Sequence, residues 1–350
     1  MNGRKREFLD ALLATSTPSG FEAAGQREWV AYVSEFADDV YTDEYGNAVA
    51  VVEGGNPTVA LAGHCDEIGF MVRDINDDGS ISLTRIGGSD KTVSQGQHVV
   101  VHADDPIPGV IGQTAIHLRD NGDDSASEIR EQHVDIGAED GEEAEELVEV
   151  GDPITFTQTV SELANDRIAA RGLDNRIGVW AAAEALRRAS EAGAQATVCA
   201  VSTVQEEVGL KGAQMVGFDL DPDVAIATDV THATDGPGVP GDRSTGIELG
   251  GGPVVARGSA NHPQVVEAVR GVAADADIDY QLQAAGSRTG TDADAFFVSR
   301  GGIPSLNVGV PNRYMHTPVE VLDLGDLDAT AELLGAFATR ADEFEYAVDF

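Results

Sequence analysis

Positive charge is scarce in this 350-residue chain. Lysine occurs only as Lys5, Lys91 and Lys211, and 22 Lys and Arg together face 61 Asp and Glu, for a formal net charge of −39. A surface of that sign repels phosphate backbones and anionic headgroups, so it excludes nucleic acid and the membrane surface as partners. Cys65 and Cys199 are the only cysteines, and both stand inside apolar runs. That excludes a disulfide framework and points to a reducing compartment. No apolar stretch approaches the roughly 18 residues of a membrane span. The opening MNGRKREFLDALLA is basic, but Glu7 and Asp10 fall at amphipathic spacing. It therefore reads as a first helix, not a secretory signal, and a cytoplasmic location is expected.

What the chain does contain is 42% apolar residues, enough for one large α/β domain and a smaller one. The acids are spread along the whole length, and nearly all positive charge is Arg. This composition resembles that of proteins from organisms with molar salt in the cytosol, such as a halophilic archaeon. There a screening length of about 3 Å suppresses self-repulsion. The acidity on this reading reports habitat, not substrate.

Two helical patterns, at 5–14 and 22–37, precede the β runs VYTDEYGNAVAVVEG and PTVALAGHCDEIGFMV. From about residue 73 to 158 the texture changes to short strands broken by NDDG, GG and IPGV, with a polar run at 119–128 expected to form a loop and a short acidic helix in GEEAEELVEV. Helix–strand alternation then resumes through DNRIGVWAAAEALRRASEAG, ATVCAVSTVQ, DVAIATDV, HPQVVEAVRGVAADA, IPSLNVGV and LDATAELLGAFATRADEF. The pattern is doubly wound α/β: residues 1–72 and 159–350 form one domain, interrupted by a β-rich insert at 73–158.

In open α/β sheets ligands sit beyond the carboxyl ends of strands. His64 and Asp66 follow TVALAG, Glu206 and Glu207 follow TVCAVSTVQ, Asp229 follows DVAIAT, His316 follows IPSLNVGVPNRYM, and Asp174 precedes a helix. Taken singly, each has an ordinary explanation as a structural histidine, an N-cap or a solvated strand end. Their agreement in position and in ligand type favours a metal site, because imidazole with carboxylate from distant segments suits Zn²⁺, Co²⁺ or Mn²⁺. Side chains two apart on a strand face the same way, so Asp66 is placed to hold the second nitrogen of His64. Cys65 then faces away, as a buried apolar residue. Of the other histidines, His232 lies close to Asp229, while His98, His102, His117, His133 and His262 read as ordinary surface or core residues. The loop at 235–252 is expected to supply pocket wall.

The segments TPSGFE, AGHCDEIGF, ARGLDNRIG, VSTVQEEVGLKGA, ATDVTHATDGPG, SRTGTDADAF and YMHTPVE resemble, in order and spacing, the motif series of the tetrahedral (TET) dinuclear-metal aminopeptidases, some of them labelled endoglucanase-like or deblocking. The resemblance implies a zinc-peptidase-like mixed sheet with flanking helices and a small β-barrel-like insert serving in oligomerisation or as a lid. It implies two divalent ions per subunit: His64, Asp174 and Asp229 hold one, Asp174, Glu207 and His316 the other, and Asp174 bridges. Glu206 is then the general base that activates water, with Asp66 orienting His64. The substrates implied are short peptides cut at the N-terminus, and the assembly a tetrahedral dodecamer built from dimers. GHCDE stands where the family commonly has GHMDE, and Gly251 where it often has lysine; neither position is a ligand. A dinuclear deacylase or amidohydrolase is the nearest rival. An endoglucanase is weaker, since glycosidase carboxyls flank a bond about 5–9.5 Å apart and aromatics, at 5%, are few.

Overall fold

A computed structural model describes residues 1, 3–119, 126–157 and 160–348. The middle of the expected polar loop, at 120–125, and the expected end of the insert, at residue 158, lie outside the described residues.

The body is organised on a mixed sheet of eleven strands. Strand Gly55–His64 runs parallel between Ala196–Thr203 and Val224–His232, and Ser305–Arg313 continues parallel beyond the latter. These strands are apolar on both faces, as they must be when helices cover both sides. The hairpin of Asp39–Thr42 and Ala48–Val52 extends one side antiparallel. Glu320–Asp323, Arg167–Ala170 and Ser161–Glu162 extend the other, and Val254–Arg257 with Gln281–Ala284 branches from Ser305–Arg313.

Alternate residues of the central strands feed two cores. Val59, Leu61, Val198, Ala200, Val224 and Ile226 join the larger one, under helices Arg4–Ala14, Ala23–Val33, Leu173–Ala192, Pro263–Asp275 and Leu324–Thr339. Ala60, Ala62, Cys199, Val201 and Ala225 join the smaller, under Lys211–Leu220 and Asp292–Val298. Helix Leu173–Ala192 is buried along most of its length because Ala181, Ala182, Ala183, Ala185 and Ala189 add little bulk between the sheet and helix Leu324–Thr339. The sequence reading did not draw helices Lys211–Leu220 and Asp292–Val298. The first carries two glycines, which lower its local propensity.

PTVALAGHCDEIGFMV is not one β run. The sheet strand ends at His64, and Gly69–Ile75 opens a closed six-stranded barrel with Ile81–Ile86, His133–Asp135, Pro106–Ile111, His98–His102 and Pro153–Phe156. The break has a physical cause. Cys65 N–H makes the last bond to strand Ala196–Thr203, at the Thr203 carbonyl; beyond it Glu67 N–H donates to the Thr17 carbonyl instead, while the Glu67 side chain turns inward to Arg171 and Arg176. The barrel has its own core, including Phe70, Val72, Ile81, Leu83, Val99, Val101, Val134 and Ile154, and closure removes the exposed sheet edges.

Candidate active site

One end of the central strands gathers the charged groups. His64 is the last residue of its strand, and Asp229 lies near the end of Val224–His232. Glu206 and Glu207 follow Ala196–Thr203 after Gln205, whose φ is 56°. Asp174 and Asn175 have non-helical dihedrals, so regular helix begins at Arg176 and Asp174 is presented from an irregular link. His316 sits in the turn between the last two sheet strands.

The distances divide the cluster in two. Nε2 of His64 lies 3.3 Å from Oδ1 of Asp174, 3.7 Å from Asp229 and 3.9 Å from Glu206. Nε2 of His316 lies 3.3 Å from the other oxygen, Oδ2, of Asp174 and 3.6 Å from Glu207. His64, Asp174 and Asp229 form one group whose candidate donor atoms all lie within 4.8 Å of one another, and Asp174, Glu207 and His316 form a second. The same criterion also groups His64 with Glu206 and Glu207.

Buried acids fix these positions. The Asp66 carboxylate accepts from Ser19 Oγ at 2.6 Å and from the backbone N–H groups of Glu206 and Glu207 at 2.9 and 3.2 Å. Nδ1 of His64 meets the Asp66 main-chain carbonyl at 3.0 Å, closer than the carboxylate at 3.4 Å. A carbonyl can only accept, so Nδ1 carries a proton and Nε2 is the nitrogen turned toward the cleft. Asp66 thus orients His64 mainly through its backbone, and its carboxylate anchors the Glu206–Glu207 turn. Glu22 accepts from Gly20 N–H at 2.7 Å and Gln205 N–H at 3.2 Å, bracing that turn from the other side. Glu320 accepts from the backbone N–H groups of Asp174 and His316, at 2.9 and 3.0 Å.

Charge is out of balance in this space. Burial, with Asp229, Asp292 and Glu207 nearby, pushes Glu206 up to about 10 despite His64. Burial and the neighbouring Asp174 hold Glu207 well above the carboxylate range. Burial raises Asp229 too, whereas His316 and His64 outweigh burial and lower Asp174. Oε1 of Glu207 is buried without a hydrogen-bond partner. An unpartnered carboxylate oxygen, crowded acids and two imidazoles facing them through Nε2 fit divalent cations, which would restore the balance.

The cleft above these groups has a volume of about 360 Å³, and its walls include Thr231, His232, Gln283, Arg288, Thr291 and Met315. The expected wall at 235–252 is not there. Asp235 is tied to Arg313 at 2.7 Å, and Gly250 and Gly252 donate to Asp326, which draws that loop aside; residues 283–291 line the cleft instead. His232 is exposed on the cleft wall, and the other five histidines do not line it.

A doubly wound α/β body presenting two imidazoles and a carboxylate cluster at its strand ends is the framework of a metal-dependent peptide hydrolase. Residues 46–333 match the M42 glutamyl aminopeptidase family, and the chain belongs to that family. It is 34% identical to a lysyl aminopeptidase of Pyrococcus furiosus over 347 residues, covering 97% of this chain and 98% of that one. Among solved structures it is similar to a TET aminopeptidase from a marine sediment archaeon of the Thaumarchaeota, with TM-score 0.90 and 34% identity over 96% of this chain and 97% of that one. It is also similar to the TET1 peptidase of Pyrococcus horikoshii, which can assemble into a tetrahedron or a large octahedral shell, with TM-score 0.85 and 32% identity over 95% and 99% of the two chains.

Sequence reasoning assigned no role to Glu22, Glu67 or Glu320, although all three stand inside the segments TPSGFE, AGHCDEIGF and YMHTPVE. The segments were visible, but the backbone groups these acids receive were not.

Proposed function

We propose that the protein is a dinuclear aminopeptidase that removes N-terminal residues from short peptides. The observation carrying this reading is that the two oxygens of Asp174 each lie 3.3 Å from a different imidazole Nε2. His64, Asp174 and Asp229 would hold one cation, and Asp174, Glu207 and His316 the other; the donors suit Zn²⁺ or Co²⁺, with Mn²⁺ also compatible. Two such ions, when bound, supply Lewis-acid polarisation of the scissile carbonyl and lower the pKa of water.

The chain's own residues do the rest. Glu206 belongs to neither proposed ligand triad, and its backbone is fixed by Asp66. It takes the proton of the attacking water and returns it to the leaving amine, a transfer for which a ligating carboxylate such as Glu207 is poorly free. A peptide α-amine, with a pKa of about 7.7–8.0, is protonated in large part near neutrality and is attracted to the acidic cleft. Among the described residues no Phe, Tyr or Trp lines that cleft, which leaves a sugar chain without a stacking platform there and disfavours glucan hydrolysis.

For the organisation of the chain, the sequence reading divides it into a catalytic part, 1–72 and 159–350, and an oligomerisation insert, 73–158; barrel strand Gly69–Ile75 moves the start of the insert in our reading to residue 69. By analogy with the Pyrococcus horikoshii shells, the assembly is a homo-oligomer, in our reading a tetrahedral dodecamer of dimers working in the cytoplasm. At −39 per chain, screening by salt favours that association. Metal analysis with a panel of free-amine and N-blocked peptides, assayed in high salt with each metal in turn, tests the chemistry. Two ions per chain and cleavage confined to free amines are expected; cleavage of blocked amides would favour the deacylase. Light scattering in the same salt tests the assembly, which a constant single-subunit mass would overturn.

A further inference from the structure

The insert does more than sit beside the body. Immediately after barrel strand Ile81–Ile86 come Gly87, Gly88 and Ser89, and the two glycines face two residues of one proposed cation site. A Cβ at Gly88 would fall 2.7 Å from Nδ1 and 2.8 Å from Cε1 of His316. One at Gly87, where φ is 63°, would fall 3.3 Å from Cβ and 3.4 Å from Oε2 of Glu207. The His316 ring leaves no room for a side chain at Gly88, and at Gly87 the nearest obstacle is Cγ2 of Ile68 at 2.8 Å, with Glu207 just behind it.

We infer that the inserted barrel is a working part of the metal centre, its Gly87–Gly88 backbone packing against Glu207 and the Nδ1 side of the His316 ring and so setting where both side chains stand. The inference rests on the dinuclear reading. Nε2 of His316 faces Asp174 and Glu207, which leaves Nδ1 on the Gly88 side. Gly88 thus backs the His316 ring from the insert, as the Asp66 carbonyl backs that of His64 from within the body.

The glycine loop is itself fastened. Buried Ser89 donates through Oγ to the Gly69 carbonyl at 2.7 Å and lies 3.3 Å from that of Ile86. The barrel is fastened to the body where Ser16 meets Thr155 at 3.3 Å and Pro18 bridges to Glu67. Displacing the barrel should therefore disturb Asp174, Glu207 and His316 as a site while sparing His64, Asp174 and Asp229.

The test compares wild type with Gly88→Ala, Ser89→Ala and, as a control elsewhere in the barrel, Gly112→Ala, whose new methyl meets only the movable His133 ring. Cobalt titration followed by calorimetry and visible absorption counts and ranks the ions. Nitrogen NMR of histidine-labelled, metal-free protein follows the surroundings of the His316 ring without any metal. Gly88→Ala and Ser89→Ala should weaken one of two ions by about 10–100-fold, the usual effect of losing a partner behind a ligand, and should shift the His316 ring signals while leaving those of His64 in place. Gly112→Ala should do neither. Should Gly88→Ala not fold, Ser89→Ala decides. Unchanged His316 signals and ion affinities in both variants, or equal damage from Gly112→Ala, would overturn the inference. A wild type that takes one ion would instead overturn the dinuclear reading, leaving the His316 signals to decide the contact.

Discussion

His64 and His316 stand on opposite sides of Asp174, and they are held by different means. His64 is 1% exposed, ends a central strand, and is oriented by a carbonyl two residues away. His316 is 34% exposed, sits in a turn at φ 63°, and has its backbone held by Glu320 and its ring packed against Gly88 of the barrel. The inner group inherits its geometry from a sheet ladder. The outer one is assembled from a turn, a buried acid and an inserted domain. A site whose halves have unequal support should lose its outer half first.

The largest expected effect leaves both halves intact. Glu206→Gln should lower turnover by about 10²–10⁴-fold, the range for a lost general base, with the ion count unchanged. Loss of metal in step with activity, seen by elemental analysis, would make Glu206 a ligand and erase the division of labour between the paired glutamates.

Glu67 tests whether the inner half is as firmly supported as it looks. Burial opposes its ionisation, but Arg171 and Arg176 outweigh burial and hold it down at about 2, against an ordinary 4.5. Because both arginines flank Asp174 in sequence, this buried trio ties the end of the His64 strand to the Asp174 link. Glu67→Gln should cost about 3–5 kcal/mol at pH 7, the usual result of stranding buried charges. The folded pKa is depressed, so the stabilisation is full above about pH 4.5 and disappears as pH falls through about 2, a difference worth about 3 kcal/mol. Denaturant titrations of both proteins across that window should show the step in wild type and not in the variant; parallel curves would count against the trio.

A smaller and more selective change comes from Glu320→Gln. Asp174 N–H and His316 N–H go to different oxygens of one carboxylate, Oε2 and Oε1, so the amide can accept only one of them and turns a donor NH2 toward the other. The ion on the His316 side should weaken by about 10–100-fold with the other retained, as read by cobalt titration. Equal loss of both ions would show that the two halves share one support.

Much of this site was readable because its chemistry lies in side chains. His64, Glu206, Glu207, Asp229 and His316 stand at or just beyond apolar strand runs, where a sheet must place its ligands, and the structure brings them together with Asp174. What stayed hidden lies in the backbone. Glu320 matters for the N–H groups it receives, and Gly87 and Gly88 for what they lack, so neither residue type announces a role. The break after His64 was missed because CDEIGFMV continues the β composition while the chain leaves the sheet. The cleft wall was misplaced because Asp326 and Arg313, distant in sequence, tether the loop at 235–252 away from the cleft.

The two cysteines are also informative once their places are known. Burial pushes both thiols up to about 12, which keeps them from reacting while the protein is closed. Cys65 packs into the core on one side of the sheet and Cys199 into the core on the other. Each layer therefore carries its own chemical clock. The rate at which a maleimide captures either thiol measures how often that layer opens, so comparing the two clocks with and without metal would show which side of the molecule breathes first.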